Sequence, residues 1–250
     1  MKKFLFSGLC LLLLVVFPGN IIAADYLAQA DAIYDKGGMD NYKKSIPLYV
    51  KAVEANPNSF EANWKCARAN RNYADKAKKA GVEGWEDICA KYGKEGLNYG
   101  EKAIALEPNK PEGHYYFGLS VGVYSDGVSI ITAIKEGLKD KTQSSFEKVY
   151  ALDKNFEDGG SILGLGRFWT VLPLWMKDYD KAMKYLREFQ ATEYFDYNPP
   201  DGPIYLSELL LKVGGDKNKA EAKAMLEKAA QSNEKYYSDW AKRLLKENKL

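Results

Sequence analysis

The residues of this chain whose types and spacing are best suited to chemistry are arginines beside aromatic side chains. Arg68 and Arg71 lie three positions apart in a segment with helical periodicity, so they share one face of a helix. A guanidinium offers a planar fork of donors that matches a carboxylate, and aromatic rings supply contact area at low entropic cost. We therefore expect a surface that binds an acidic peptide end or a small carboxylate with an apolar body. The candidate binding residues are Trp64, Arg68, Arg71, Asn72, Tyr115, Leu119, Arg167, Phe168 and Trp169.

The same spacing also fits packing without binding. Aromatic stripes at helical spacing usually belong to a core, and the arginines would then lie on a solvated face. The sequence leaves both interpretations open.

Catalytic constellations are scarce in this sequence. His114 is the single histidine, and an isolated imidazole lacks the partners that a general base or a metal ligand needs. Gly164-Leu165-Gly166-Arg167 is similar to a phosphate loop, but it follows no predicted strand, and its glycines fit helix packing. The sequence therefore predicts no catalytic residue, no metal and no cofactor, and an enzyme of unknown class stays as an alternative.

A recurring phrase indicates the elements that would position the candidate residues. It reads KAVEANPN, KAIALEPN and KVYALDKN at 51–58, 102–109 and 148–155, with weaker echoes at 188–195 and 228–235. Recurrence every 20–50 residues is typical of stacked supersecondary units. The alanine lets two helices approach, and the proline ends the second helix. We predict an all-α solenoid of about five irregular helical-hairpin repeats with a C-terminal capping helix, its concave face lined by the first helix of each repeat.

Three segments depart from a regular repeat. Residues 81–107 form a predicted insertion, in which Gly93, Gly96 and Gly100 suggest close approach to another helix. Residues 128–153 are long enough for two helices. The apolar loop 171–176 either folds onto the insertion or forms an interface.

The N-terminus predicts export. Lys2 and Lys3 precede an apolar run over 4–17, and Ala23-Ala24 offers a cleavage site. We expect a signal peptide over 1–24 and the solenoid domain over 25–250, with a periplasmic location or secretion. An uncleaved membrane anchor is the alternative.

The charge of the chain after cleavage narrows the class of partner. Two of the 36 Lys and Arg fall within 1–24, so the rest balance the 34 Asp and Glu. Nucleic-acid binding requires a clustered basic excess, so the sequence argues against it.

Two cysteines, Cys66 and Cys89, remain after cleavage of the signal peptide. They form either a disulfide or two buried thiols.

The recurring phrase resembles the end of a tetratricopeptide (TPR) repeat. The stretches YGKEGLNYGEKAIALEPN at 92–109, GHYYFGLSVG at 113–122 and LGLGRFWTVLP at 163–173, followed by DYDKA at 178–182, resemble exported bacterial TPR proteins such as the T component of TRAP transporters. The same block is similar to the TPR-like domain of regulator-of-microtubule-dynamics proteins. The transporter component is lipid-anchored. In this chain the residues before Cys10 do not form a lipobox, the motif that directs lipidation of a cysteine, so the resemblance does not extend to a membrane-tethered role.

These observations predict an exported, non-enzymatic TPR scaffold that mediates protein–protein assembly. The transporter resemblance implies an alternative, a ligand-holding accessory of a solute transport system. It would have a solute-binding protein or a second copy as partner and a small apolar or carboxylate ligand. No nucleic acid is expected in either case.

Overall fold

The computed structural model describes the backbone of residues 18–250 and the side chains from Ile21 onward. This part of the chain contains twelve α-helices and no strand. Their bounds are α1 (Pro18–Tyr34), α2 (Met39–Ala55), α3 (Phe60–Lys79), α4 (Trp85–Leu106), α5 (Pro111–Gly127), α6 (Ile130–Lys135), α7 (Leu138–Leu152), α8 (Phe156–Val171), α9 (Tyr179–Gln190), α10 (Asp201–Val213), α11 (Asp216–Ala229) and α12 (Lys235–Glu247).

Consecutive helices pack as hairpins, and the hairpins stack. The pairs are α1 with α2, α3 with α4, α5 with α7, α8 with α9, and α10 with α11. Five hairpins and the final helix α12 confirm the predicted all-α, TPR-like solenoid with a C-terminal cap. The short helix α6 is an addition within the third hairpin.

Local signals set the helix ends where the sequence predicts them. The recurring phrase ends α2 at Ala55 and α4 at Leu106, each followed within two residues by a proline. The hydroxyl of Ser59 caps α3 by accepting a hydrogen bond from the Ala62 N–H at 3.2 Å. Gly37 and Gly38 make the first interhelical turn with positive φ angles of 68° and 84°, which glycine adopts without steric cost.

The glycines of α4 allow the close approach that their spacing predicts. A Cβ added to Gly93 would lie 2.6 Å from the Tyr124 nitrogen, and one on Gly100 would lie 2.9 Å from the Phe117 Cα. Helices α4 and α5 therefore pack backbone to backbone. The glycines Gly164 and Gly166 of α8 likewise face Phe146 and Leu186, which confirms a packing role for that segment.

The predicted insertion over 81–107 is not a separate element. Most of it forms α4, a single helix of 22 residues that pairs with the 20-residue α3. The second hairpin is long because both of its helices are long. Residues 128–153, in contrast, contain the two predicted helices, α6 and α7.

The C-terminal helix α12 closes the hydrophobic core. Its Tyr237, Ala241 and Leu244 are buried against Ile204 of α10 and Leu226 of α11. Lysines and arginines occupy much of its outer face, as expected of a capping helix.

The first 17 residues of the predicted signal peptide lie outside the described part of the chain. Residues 18–24 form the start of α1, and Ala23 within them is buried. Between residues 18 and 250, no helix has both the length and the apolar character needed to cross a membrane.

Candidate binding cavity

A cavity of about 1110 Å³ lies on the inner face of the solenoid. Helices α3, α5, α8, α10 and α12 contribute to its wall, as do α6 and the loop 171–176. Six of the nine predicted binding residues line this cavity: Arg71, Asn72, Tyr115, Leu119, Arg167 and Phe168. Trp64, Arg68 and Trp169 do not line it.

Arg71 presents its guanidinium to the cavity wall from the middle of α3. Its Nη1 donates to the Asn72 side-chain oxygen at 3.0 Å, and its Nη2 lies 3.6 Å from the Asp75 carboxylate one turn along the helix. The buried Nε has no hydrogen-bond partner among the described residues. Because this Nε is buried, its N–H is not accessible from the cavity, and Asp75 partly balances the charge of the guanidinium.

A cluster of polar side chains joins α3 to α10 and α12 across the cavity. We call Arg71, Asp75, Lys79, Asp201, Tyr205 and Tyr237 the closure cluster. The Lys79 ammonium contacts Asp75 at 3.0 Å and donates to the Tyr237 hydroxyl at 2.8 Å. That hydroxyl donates to Asp201 at 3.0 Å. The chain of contacts brings residues 158 positions apart into one network.

The two carboxylates of the closure cluster have opposite electrostatic environments. Burial raises the pKa of Asp201, and Lys79 and Tyr237 only partly offset that effect. Burial also acts to raise the pKa of Asp75, but Arg71 and Lys79 outweigh it and hold that pKa below its usual value. Burial and the neighbouring Asp201 raise the pKa of Tyr237 far above its usual value, so the phenol stays protonated.

Arg68 and Trp64 belong to a separate cluster on the N-terminal side. The Arg68 guanidinium lies 4.0 Å from the ring centre of Tyr34 and 5.0 Å from that of Trp64. Trp64 in turn stacks on Tyr116 at 5.6 Å. Arg68 is therefore held between two rings, and the structure does not bring it into one pocket with Arg71 as the helical spacing predicted. The reason is the contact with α1, which covers this part of α3.

The predicted aromatic pair on α8 is buried in the core formed with α9 and α10, where Phe168 is 7% and Trp169 is 5% exposed. Of the two, Phe168 also lines the cavity and Trp169 does not. Lys139 and Lys181 lie over the Trp169 ring at 5.7 Å and 4.3 Å. Successive helix residues differ by about 100° in direction, so only one of the two can face inward.

Arg167 is also engaged within the protein. Its Nη1 donates to the Glu208 carboxylate at 2.7 Å, and its guanidinium lies over the rings of Tyr205 and Trp240 at 4.7 Å and 5.1 Å. It connects α8 to α10 and α12. Its position on the cavity wall makes it accessible, but its charge is neutralised.

Sequence reasoning missed most of the closure cluster. Asp75 and Lys79 follow Arg71 at four-residue intervals, a signal for one helix face that was available in the sequence. Asp201, Tyr205 and Tyr237 gave no such signal, because only the curvature of the solenoid brings them opposite α3. Glu157 was also missed. It lies in a left-handed, non-helical turn over residues 157–159 that interrupts α8 near its start, lines the cavity and accepts a hydrogen bond from the Tyr116 hydroxyl at 2.7 Å.

One part of the cavity wall is apolar. Six apolar residues line this part of the cavity, and we call them the apolar rim: Ile130, Ile134, Val171, Leu172, Pro173 and Met176. Loop residues Leu174 and Trp175 beside it are 74% and 71% exposed. Of the two expectations for the loop, folding onto residues 81–107 is therefore wrong for these side chains.

The remaining reactive side chains have structural surroundings. Cys66 and Cys89 are free, buried thiols, and burial raises the pKa of Cys89 to about 12. His114 contacts the Pro108 carbonyl oxygen at 2.9 Å at the start of α5. Within residues 21–250, no group of three or more His, Cys, Asp or Glu side chains is placed to hold a metal ion.

Comparison with known proteins places this arrangement among TPR-type helical solenoids. The solved structure of TTC0263, a thermophilic TPR protein from Thermus thermophilus, matches with a TM-score of 0.60 and 19% identity over 89% of this chain and 99% of that chain. YrrB, described as a TPR protein with an unusual peptide-binding site, matches with a TM-score of 0.51 and 13% identity over 90% of this chain and 92% of that one.

A match between the amino-acid sequence and a family model shows the family to which this chain belongs. The model of regulator of microtubule dynamics protein 1-3 matches residues 26–169, more than half of the chain, and the chain belongs to this family. Comparison with curated proteins finds no match. The predicted resemblances to TPR proteins and to this family are confirmed, and the resemblance to the transporter component stays a prediction.

Proposed function

We propose that this protein is an exported, non-enzymatic scaffold that binds a segment of a partner protein in its concave cavity. The observation that carries the proposal is the cavity of about 1110 Å³, to which all five hairpins and the capping helix contribute. Its volume exceeds the roughly 300–1000 Å³ typical of small-molecule sites. A TPR-like solenoid is in general a scaffold for protein–protein interaction, and peptide binding by YrrB is extended here to this chain as part of the proposal.

The lining residues support recognition of a peptide. Tyrosines and tryptophan supply large, rigid contact areas with a polar tip, and Tyr115, Tyr205 and Trp240 occupy the wall. Arg71 adds a guanidinium to the wall, partly balanced by Asp75 at 3.6 Å. The closure cluster is the group of buried titratable side chains that an enzyme would need. Its charges neutralise one another and join three helices, so a structural role fits it better than acid–base chemistry.

Export is the second part of the proposal and rests on the N-terminal sequence. Lys2, Lys3, the apolar run over 4–17 and Ala23-Ala24 support a signal peptide and a periplasmic or secreted location. The family name refers to regulation of microtubule dynamics by other members, and an exported chain would not meet cytoplasmic microtubules.

Site-specific photo-crosslinking in the native host tests the binding proposal. A photoreactive phenylalanine analogue replaces Leu119, which lines the cavity, or Lys102, an exposed residue of α4 outside it. We expect a discrete adduct with one protein from position 119 and none from position 102. Equal adducts from both positions, or none from position 119, would contradict binding in the cavity.

A transport accessory that holds a small acid is the second candidate. The observation in its favour is the combination of Arg71 and the apolar rim in one cavity, which suits a carboxylate with an apolar body. Native mass spectrometry of the protein purified from its host separates the two candidates. A retained small molecule that Arg71→Ala abolishes would favour the accessory, and a retained polypeptide would favour the scaffold.

A further inference from the structure

The apolar rim and the neighbouring stretch of α5 form a surface that the solenoid itself does not need. Helix α6 has no buried residue, and its Ile130, Ile131 and Ile134 are each more than half exposed. Val171 on the other side of the rim is 49% exposed. Exposed apolar side chains that are contiguous usually mark a site that another molecule covers.

Gly122 points to the same conclusion from inside a helix. It lies in the body of α5 and lines the cavity, and a Cβ built on it would meet no atom within 4 Å. Glycine weakens a helix relative to alanine, and no neighbour requires its small size, in contrast to Gly93 and Gly100. The space above Gly122 is therefore open cavity, bordered on α5 by Leu119 and Val123.

The charges of the cavity argue against recognition by net charge. Six basic and six acidic residues line it. Its cations already have partners within the chain, for example Lys78 with Asp126 at 2.7 Å and Lys139 with Asp140 at 3.0 Å. An occupant of this part of the wall gains most from covering apolar surface.

We propose that the apolar rim and Gly122 form an anchor pocket for uncharged aliphatic or aromatic side chains of a partner peptide. This inference rests on the proposed function and specifies the chemistry of its partner. The anchors enter over Gly122, where the α5 backbone is uncovered, and pack between Ile134 of α6 and the loop 171–176. Charged residues of the peptide stay outside this pocket.

Selection from a phage-displayed library of random 12-residue peptides, followed by fluorescence anisotropy with a labelled selected peptide, tests the inference. Four proteins are compared, each spanning residues 25–250: the wild type and the single variants Ile134→Ser, Ile131→Ser and Gly122→Leu. Ile131 is the matched control, because it lies on the same helix and is 62% exposed but does not line the cavity. We expect selected peptides with at least two aliphatic or aromatic residues. Affinity should fall at least tenfold for Ile134→Ser and Gly122→Leu and less than twofold for Ile131→Ser.

Other outcomes overturn the inference. These are failure to select any peptide, acidic peptides whose binding depends on Arg71 instead of Ile134, or equal losses for Ile134→Ser and Ile131→Ser. A dimer that Ile134→Ser dissociates, seen by sedimentation velocity, would assign the surface to a second copy. Co-sedimentation with phosphatidylcholine vesicles would assign it to lipid. The proposed function fails separately, through the crosslinking at position 119: an adduct there that Ile134→Ser leaves unchanged would retain the scaffold and reject the anchor pocket.

Discussion

The Lys79 ammonium donates to the Tyr237 hydroxyl at 2.8 Å and thereby joins the third helix of the solenoid to its last helix. Tyr237 is 2% exposed, and its hydroxyl donates a hydrogen bond to the Asp201 carboxylate of α10 at 3.0 Å. Lys76 and Glu234, whose charged atoms lie 3.8 Å apart, add a second contact between the same regions. The inner face is therefore a cavity closed between the second hairpin and the capping helix.

Removing the Tyr237 hydroxyl should weaken this closure. Tyr237→Phe removes the hydroxyl that accepts a hydrogen bond from Lys79 and donates one to Asp201, while Tyr205 still hydrogen-bonds Asp201. Loss of a buried hydrogen bond to a charged group costs about 1–3 kcal/mol of unfolding free energy. Urea denaturation measures the loss, and hydrogen exchange should show faster exchange in α12. Tyr236→Phe is the control, because no described residue hydrogen-bonds its hydroxyl. Equal effects of the two substitutions would show that the closure adds nothing to stability.

Asp75 and Asp201 should respond to pH in opposite ways. The lowered pKa of Asp75 means that its contribution is present above the usual value of 3.8 and is lost as pH falls through the folded-state pKa. Asp75→Asn should therefore destabilise the protein at pH 7, by about 1–3 kcal/mol for loss of charge-assisted contacts to Arg71 and Lys79, and much less near pH 3.

Asp201 has a raised pKa, so its contribution is largest below its unfolded-state pKa and is lost as pH rises through the folded-state pKa. Asp201→Asn should leave stability at pH 7 unchanged or higher, since the amide oxygen still accepts from Tyr237. Thermal melts of both variants at pH 3, 5 and 7 measure these trends. A loss at pH 7 for Asp201→Asn as large as that for Asp75→Asn would contradict the assignment.

Two glycine-to-alanine substitutions should have effects of opposite sign. Gly93→Ala places a methyl group 2.6 Å from the Tyr124 backbone nitrogen, and forcing the helices apart costs about 1–3 kcal/mol. Gly122→Ala meets no atom and should stabilise the protein by up to about 1 kcal/mol through helix propensity. Urea denaturation of both variants against wild type decides the matter, and a destabilised Gly122→Ala would show that the space above Gly122 is filled.

The two cysteines should behave as protected thiols. Burial raises the pKa of both Cys66 and Cys89, and the thiolate is the reactive form. Residues 25–250 purified without reductant should react slowly with Ellman's reagent when folded and release two equivalents when denatured. A denatured sample with no free thiol would reveal a disulfide that the structure lacks.

Processing of the N-terminus is the remaining prediction. We expect cleavage after Ala23 or Ala24, so that sequencing of the exported protein begins at Ala24 or Asp25. Cleavage there shortens α1 at its start but leaves Ala30 and Tyr34, which carry its core contacts. An intact Met1 or a lipidated Cys10 would instead place the protein on a membrane.

The sequence by itself determined the repeats, because the signals that end helices are local. Pro57, Pro108 and the Gly37-Gly38 pair act within a few residues of their own position. The spacing of Gly93, Gly96 and Gly100, three and then four residues, was enough to predict a close helix contact. Such features do not depend on which distant segments meet.

Only the tertiary structure decided which candidate residues share a site. Arg68 and Arg71 lie on one face of α3, yet Tyr34 of α1 stacks on the first and the cavity receives the second. Lys79 and Tyr237 meet because small rotations at each repeat interface add up to a curve, and no local pattern records their sum. The composition of the cavity wall therefore follows from curvature, which a single sequence of repeats leaves unspecified.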